Sequence, residues 1–308
     1  MGVMLAGKER YHAPCFQIVH VRHTGNFGHG YGKALANSVY WVAGKGEVSW
    51  NEFKLHNSRE HYSSSANRRF SLLDNDYFAK KATEDKFPLV GNVKLAKAIA
   101  TTLEKEPGRE YVFLDIGAAG GALSTLCLLQ KMFDNGITNV KVILNDISTD
   151  ALNATKEWNF VLPVDLLRKK YGWSERFVDF ARKIISNAEI AAGNILEIGM
   201  LLPKADVVYS GFTHHHMNIY DKEDGVKMME FLTKQNGILG VVDECMSAKD
   251  YLRWMDAHAN EKNSRGQRVP IALESFIPLE QHIRFLDSSE VIARGKGRRY
   301  YYFVARKG

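Results

Sequence analysis

The chain has 308 residues, 45% apolar and 11% aromatic, with 41 basic and 35 acidic side chains and a net charge of +6. That suffices for one large α/β core with additions, or for two domains. No apolar run reaches 18 residues and residues 1–17 lack a basic-then-apolar leader, which excludes a helical membrane span and predicts a cytoplasmic protein. The three cysteines, Cys15, Cys127 and Cys245, lie far apart and offer neither a disulfide framework nor a zinc spacing. In chain order, residues 16–21 predict a short strand, the glycine- and histidine-rich stretch 23–32 a loop, and residues 33–42 a helix. Residues 47–55 read as a strand or a short helix, 58–76 as polar and aperiodic, and 80–103 as helical, best from Val93 to Leu103. Pro107-Gly108 then marks a linker, so a division is expected between residues 1–108 and 109–308.

The most informative segment follows. Residues 112–124 read as an apolar strand ending at Asp115, a loop of small residues from Gly117 to Gly121, and a helix opening near Ala122. A strand, a glycine-rich turn and a helix make the arrangement that holds a nucleotide-like cofactor at the carboxyl end of a parallel sheet. The glycines let the backbone approach the ligand and take positive φ. About thirty residues on, a second apolar run, Val140 to Asn145, ends at Asp146, and Ser148 is placed to cap a helix to Trp158. An acid there suits two ribose hydroxyls; its plain alternative is a turn residue.

These residues resemble the first two motifs of the class I S-adenosylmethionine-dependent methyltransferases. Leu114-Asp115-Ile116-Gly117-Ala118-Ala119-Gly120-Gly121 follows that family's acid-and-glycine pattern with Ala119 in place of the middle glycine, and Asp146-Ile147-Ser148 follows its second motif. Asn194 takes the polar place expected near the adenine amino group, and residues 205–212, ending Tyr209-Ser210-Gly211-Phe212, take that of the fourth strand. Residues 237–243 take the place of the fifth. The resemblance spans about residues 110–306. It implies a Rossmann-like, doubly wound α/β fold: a seven-stranded sheet whose last strand, 300–305, is antiparallel. It also implies S-adenosylmethionine held by Asp115, Gly117, Ala119, Gly121, Asp146, Ile147, Asn194, Ser210 and Phe212. A nicotinamide Rossmann enzyme is the main competitor for the glycine loop, but it has no use for the segment after strand four. The segment before residue 109 is expected to cap the substrate side or to form a homodimer contact.

Methyl transfer needs a nucleophile in line with the methyl–sulfur bond and, for a hydroxyl, a group that removes its proton. Strand four runs into His214, His215 and His216, and imidazole titrates near neutrality. His215, then His214, then His216 are the candidate bases; the alternative is a structural role. Consecutive residues point in different directions, so a metal shared by all three is not expected, although one of them with Asp243 or Glu244 suits a divalent cation. The helical insertion 163–187, with Ser174 as cap, either extends the outer layer or covers the site. The expected activity is methylation of a small molecule, at oxygen. RNA 2′-O-methylation is the alternative, favoured by Arg294, Lys296, Arg298, Arg299, Arg306 and Lys307 near the end of the chain. It is disfavoured because the acid and lysine of that family's catalytic set meet Gly211 and Asp243. A non-methylating protein of the same fold is the third reading.

Overall fold

The structure, a computed structural model, describes residues 87–118, 122–158, 171–258 and 274–308, with short stretches at 21–22, 39–42 and 46–49 and positions 52, 168–169, 262 and 266. The early stretches pair as a three-stranded antiparallel sheet of β1 (Val21–Arg22), β2 (Val39–Val42) and β3 (Gly46–Val48). The helix expected over 33–42 is therefore wrong at its described end. Val39-Tyr40-Trp41-Val42 is a β-branched and aromatic run, and that composition favours a pleated surface over a helix. The expected loops at 23–32 and 58–76 lie outside the described residues.

Seven strands form the main sheet: β4 (Tyr111–Ile116), β5 (Val140–Asp146), β6 (Glu189–Ala192), β7 (Ala205–Gly211), β8 (Thr233–Glu244), β9 (Ser289–Lys296) and β10 (Tyr300–Lys307). Their order is β6-β5-β4-β7-β8-β10-β9. The first five are parallel, and β10 runs antiparallel to both β8 and β9, as expected of the last strand. Phe113 and Val207 are wholly buried on one face, and Leu114, Val208, Leu239, Val241, Tyr301 and Phe303 on the other. A parallel sheet covered on both faces gives the continuous apolar runs seen in the sequence.

One face carries α1 (Phe87–Thr102), α2 (Leu123–Asp134) and α4 (Glu175–Ser186); α3 (Thr149–Lys156) follows β5. The other carries α6 (Ile219–Leu232) and the short α8 (Leu279–Ile283), with α5 (Ile195–Ile198) against α6 and α7 (Ala248–His258) after β8. The caps read from sequence are present. Ser148 Oγ accepts from the Ala151 amide and Ser174 Oγ from the Phe177 amide. Phe177 and Phe180 of α4 pack on Phe133 of α2, so the described part of the insertion extends the outer layer.

Helix α1 lies before the boundary expected at residue 108, yet it packs on β8, β10 and α2 as part of the core. Its Leu95 and Ile99 approach β8 so closely that a Cβ on Gly240 would sit 2.9 Å from both side chains. Glycine is what allows the helix to lie this low on the strand.

The chain proceeds from β4 to β5 and β6 on one side and to β7 and β8 on the other. The crevice at such a reversal, outside the carboxyl ends of the strands, is where open α/β sheets bind ligands.

Candidate active site

Four adjacent strand ends bring the expected residues to that crevice: Asp146 on β5, Ile116 leading to Gly117 on β4, Gly211 on β7, and Asp243 and Glu244 on β8. Gly117 has φ of +77°, and a Cβ there would collide with the Thr213 side chain. Thr213 Oγ1 lies 3.3 Å from the Ile116 carbonyl oxygen and 3.4 Å from that of Gly117, so the loops after β4 and β7 are held together. Asn145 does the same on the other side. Its carbonyl accepts from the Gly117 and Ala118 amides, and its Nδ2 donates to the carbonyls of Ala191 and Gly193. Asn145 was missed as a site residue; its signal was a buried amide in an otherwise apolar strand.

Asp115, near the end of β4, is fully buried, and Ser124 and Thr125 donate to its Oδ2 at 2.5 and 2.6 Å. Oδ1 is buried and has no hydrogen-bond partner among the described residues. Burial raises its pKa to about 6, against the two hydroxyls, and the nearby Asp146 carboxylate adds to the rise. Asp146 is half-buried; its Oδ1 accepts from the Ser148 amide, which aligns the carboxylate at the start of α3. Ile147 is half-buried beside it.

Other expected cofactor residues use their side chains internally. Ser210 Oγ donates to the Ile116 carbonyl at 3.0 Å, and Asn194 Oδ1 caps α5 through the Leu196 amide. Phe212, at φ +57°, donates its amide to Val242, and its ring abuts Gly91 of α1. Ala119 and Gly121 lie outside the described residues.

The three histidines form one 3₁₀ turn and have separate surroundings. His214 Nδ1 is 2.9 Å from His282 Nε2, and His282 Nδ1 is 2.8 Å from the Tyr301 hydroxyl. Burial lowers the His214 pKa to about 4 and holds that of His282 well below the usual range, so both are neutral. His215 Nδ1 is 2.7 Å from Asp243 Oδ1, both side chains being buried. Burial works against charge on His215, but the Asp243 carboxylate outweighs it through attraction and the hydrogen bond, raising the pKa to about 9. Burial alone would raise the pKa of Asp243; the His215 imidazolium instead holds it well below the carboxylate range.

His216 does not point away from its neighbour. The His215 and His216 rings stand 4.0 Å apart between centroids at 47°, because the tight turn keeps both on one side. Glu274, on a distant segment, joins them: the Ser275 amide donates to the His215 carbonyl at 2.7 Å and fixes that segment against the turn. One ligand atom each from His215, His216 and Glu274 lie within 4.8 Å of one another. Next to them, burial and the Glu274 charge raise the Glu244 pKa to about 7, against His215 and the 2.8 Å ion pair with Arg299. The buried Lys222 donates to the Met217 carbonyl, and burial lowers its pKa to about 7. Nothing local in the sequence indicates that Glu274 or His282 belongs here.

The strand order with its reversed β10, the positive-φ glycine after β4 and the acid ending β5 now stand together. The fold is the class I methyltransferase fold. No family model and no curated protein matches the chain. Among solved structures it is similar to an O-methyltransferase family 2 protein from Planctomyces limnophilus in complex with apigenin, at 15% identity and a TM-score of 0.47, covering 71% of this chain and 60% of that one. It is similar to the N-methyltransferase NodS from Bradyrhizobium japonicum in complex with S-adenosyl-L-homocysteine, at 14% identity and a TM-score of 0.49, covering 80% and 98%. A third is magnesium protoporphyrin IX methyltransferase from Synechocystis with bound SAM, at 11% identity and 0.43, covering 71% and 81%.

Proposed function

We propose that the chain is an S-adenosylmethionine-dependent methyltransferase acting on a small molecule, at oxygen, with His215 as the proton acceptor. The observation that carries this reading is the buried His215–Asp243 pair at the ends of β7 and β8, across the crevice from Asp146 on β5. The cofactor supplies an activated methyl group on a sulfonium. The positive-φ Gly117 turn, the buried Oδ1 of Asp115 without a partner among the described residues, and the aligned carboxylate of Asp146 fit such a cofactor. Gly117, Ala119 and Gly121 serve as its backbone cradle, Asp146 as acceptor for the ribose hydroxyls, and Ile147, Asn194, Ser210 and Phe212 as surrounding wall.

On the acceptor side, Asp243 fixes the His215 ring through Nδ1 and stabilises its charged form, which leaves Nε2 to take the acceptor's proton. His214 and His216 are not assigned the proton: His214 is committed to His282, and His216 faces His215. Of the segment before residue 109, the part outside α1 is assigned to capping the acceptor side. RNA as acceptor is disfavoured. Lys296 pairs with Glu280 and Arg299 with Glu244, while Arg306 and Lys307 donate to backbone carbonyls, so much of the basic group is engaged within the protein.

Calorimetry with S-adenosylmethionine and S-adenosylhomocysteine, followed by methyl release against a panel of phenols, alcohols, amines and capped RNA, tests the reading. Binding of both, with turnover on hydroxyl compounds alone, is expected. Absence of cofactor binding, or turnover confined to amines or RNA, overturns it.

A further inference from the structure

We propose that His215, His216 and Glu274 form a binding site for a divalent transition-metal cation of the zinc or cobalt type, next to the methyl acceptor. Three observations carry it. The ligand atoms of these side chains already lie within 4.8 Å of one another, and both His215 and Glu274 are buried. Ligands sharing a zinc at about 2.0–2.2 Å stand roughly 3.3–3.6 Å apart in a tetrahedron, so closure on the ion takes side-chain movement on the order of 1 Å.

Second, the His215 ring is oriented as a metal ligand usually is. Its Nδ1 lies 2.7 Å from the buried Asp243 carboxylate, which leaves Nε2 to coordinate. A carboxylate behind a coordinating imidazole fixes the ring and strengthens its donor atom. Third, the backbone holds the cluster together: one 3₁₀ turn carries both imidazoles, and the Ser275 amide ties the Glu274 segment to the His215 carbonyl.

The donor set decides the class of ion. Two imidazoles and one carboxylate suit zinc, cobalt and their neighbours; magnesium and calcium take all-oxygen sites. Three protein ligands leave a fourth position open, the pattern of a catalytic rather than a structural site.

The use of this ion rests on the methyltransferase reading above, but its binding does not. An acceptor hydroxyl in the open position loses its proton to solvent. Its oxygen lone pair then forms the new bond to the methyl carbon as the methyl–sulfur bond breaks, and that bond's electron pair stays on sulfur. In the loaded site His215 is a ligand and takes no proton; the two roles alternate with occupancy.

The test uses the full chain, stripped with a chelator, and Co²⁺ as probe, followed by visible absorption and calorimetry. Expected is one saturable site with the intense bands of a four- or five-coordinate ion. His216→Ala and Glu274→Gln should each weaken binding at least tenfold, and Asp243→Asn about 10–100-fold, with circular dichroism unchanged. His216→Gln serves if the alanine variant does not fold. Absence of saturable binding, or affinity unchanged in the His216 and Glu274 variants, overturns the site. Parallel calorimetry with S-adenosylmethionine separates the two ideas: Co²⁺ binding without cofactor binding refutes the methyltransferase reading alone, and the reverse refutes the metal site alone.

Discussion

Asp206 provides a test of which end of the sheet does chemistry. It sits at the amino end of β7, opposite the crevice, with 3% of its surface exposed. Its Oδ2 accepts from the Val112 amide at 2.8 Å and from Lys234 at 2.9 Å, and its Oδ1 accepts from Arg109 at 2.7 Å. Replacing it with alanine removes all three. The Lys234 and Arg109 side chains are each 40% exposed, so each ion pair contributes only about 0–1 kcal/mol. The amide bond to a charged acceptor contributes about 1.5–3 kcal/mol, and its loss leaves a partly buried donor unpaired. Asp206→Ala should therefore lower stability by about 2–4 kcal/mol, read by urea unfolding at neutral pH. Burial raises the carboxyl pKa, but the hydrogen bonds from Val112, Lys234 and Arg109 together lower it. A depressed folded-state pKa gives stability that is present above the unfolded value of about 3.9 and lost as pH falls through the folded one. The gap between wild type and variant should accordingly shrink below about pH 4. Cofactor affinity should be unchanged, because nothing at this end touches the crevice. A variant as stable as wild type, or one that folds but binds S-adenosylmethionine tenfold more weakly, would refute the assignment of the two ends.

Asp146→Ala should act conversely: losing bonds to the ribose, each worth about 1.5–3 kcal/mol, it should weaken S-adenosylmethionine by at least tenfold in calorimetry. Stability should fall by only about 1 kcal/mol, from the lost bond to the Ser148 amide. In chelator-treated protein, His215→Ala should reduce turnover by about 10²–10⁴ while cofactor binding persists. The His215 pKa near 9 keeps the ring charged at neutrality, so turnover should climb as pH rises towards 9. The pairing stabilises the fold fully below the unfolded value of about 6.5 and is lost as pH rises through 9. Asp243→Asn should lower the titration midpoint, followed by NMR of the imidazole, since only the Glu274 and Glu244 charges then oppose burial; a midpoint still near 9 would show that Asp243 is not the cause. A chain beginning at residue 105 should fail to fold. It lacks the buried Leu95 and Ile99 of α1, each contributing about 1.5–3 kcal/mol, out of a total stability typically near 5–15.

The legible part of the fold is the part written in local chemistry. The apolar runs of β4, β5 and β7, the glycine turn after Ile116 and the caps at Ser148 and Ser174 each state their structure within a few residues. What escaped depends on contacts between distant segments. Helix α1 was periodic enough to recognise, but its place on β8 rests on the absence of a side chain at Gly240. Ser210 and Asn194 were legible as polar residues at the right strand ends, while their engagement with backbone was not. The histidines were visible as a group; their division into a His282 partner, an Asp243 partner and a Glu274 neighbour follows from residues that the topology alone brings to the turn.

The buried run from Tyr301 through His282 to His214 has a consequence for the site. Both imidazoles are neutral, so each carries one ring proton, and a single proton lies between His214 Nδ1 and His282 Nε2. When His282 donates to His214, its own Nδ1 accepts from the Tyr301 hydroxyl, and the His214 proton moves to Nε2. When His214 donates, every bond reverses and Nε2 becomes a bare lone pair. That Nε2 is buried without a hydrogen-bond partner among the described residues. The orientation of one hydroxyl on β10 therefore fixes the tautomer of an imidazole beside the crevice. It decides whether the end of β7 offers there an N–H or a lone pair.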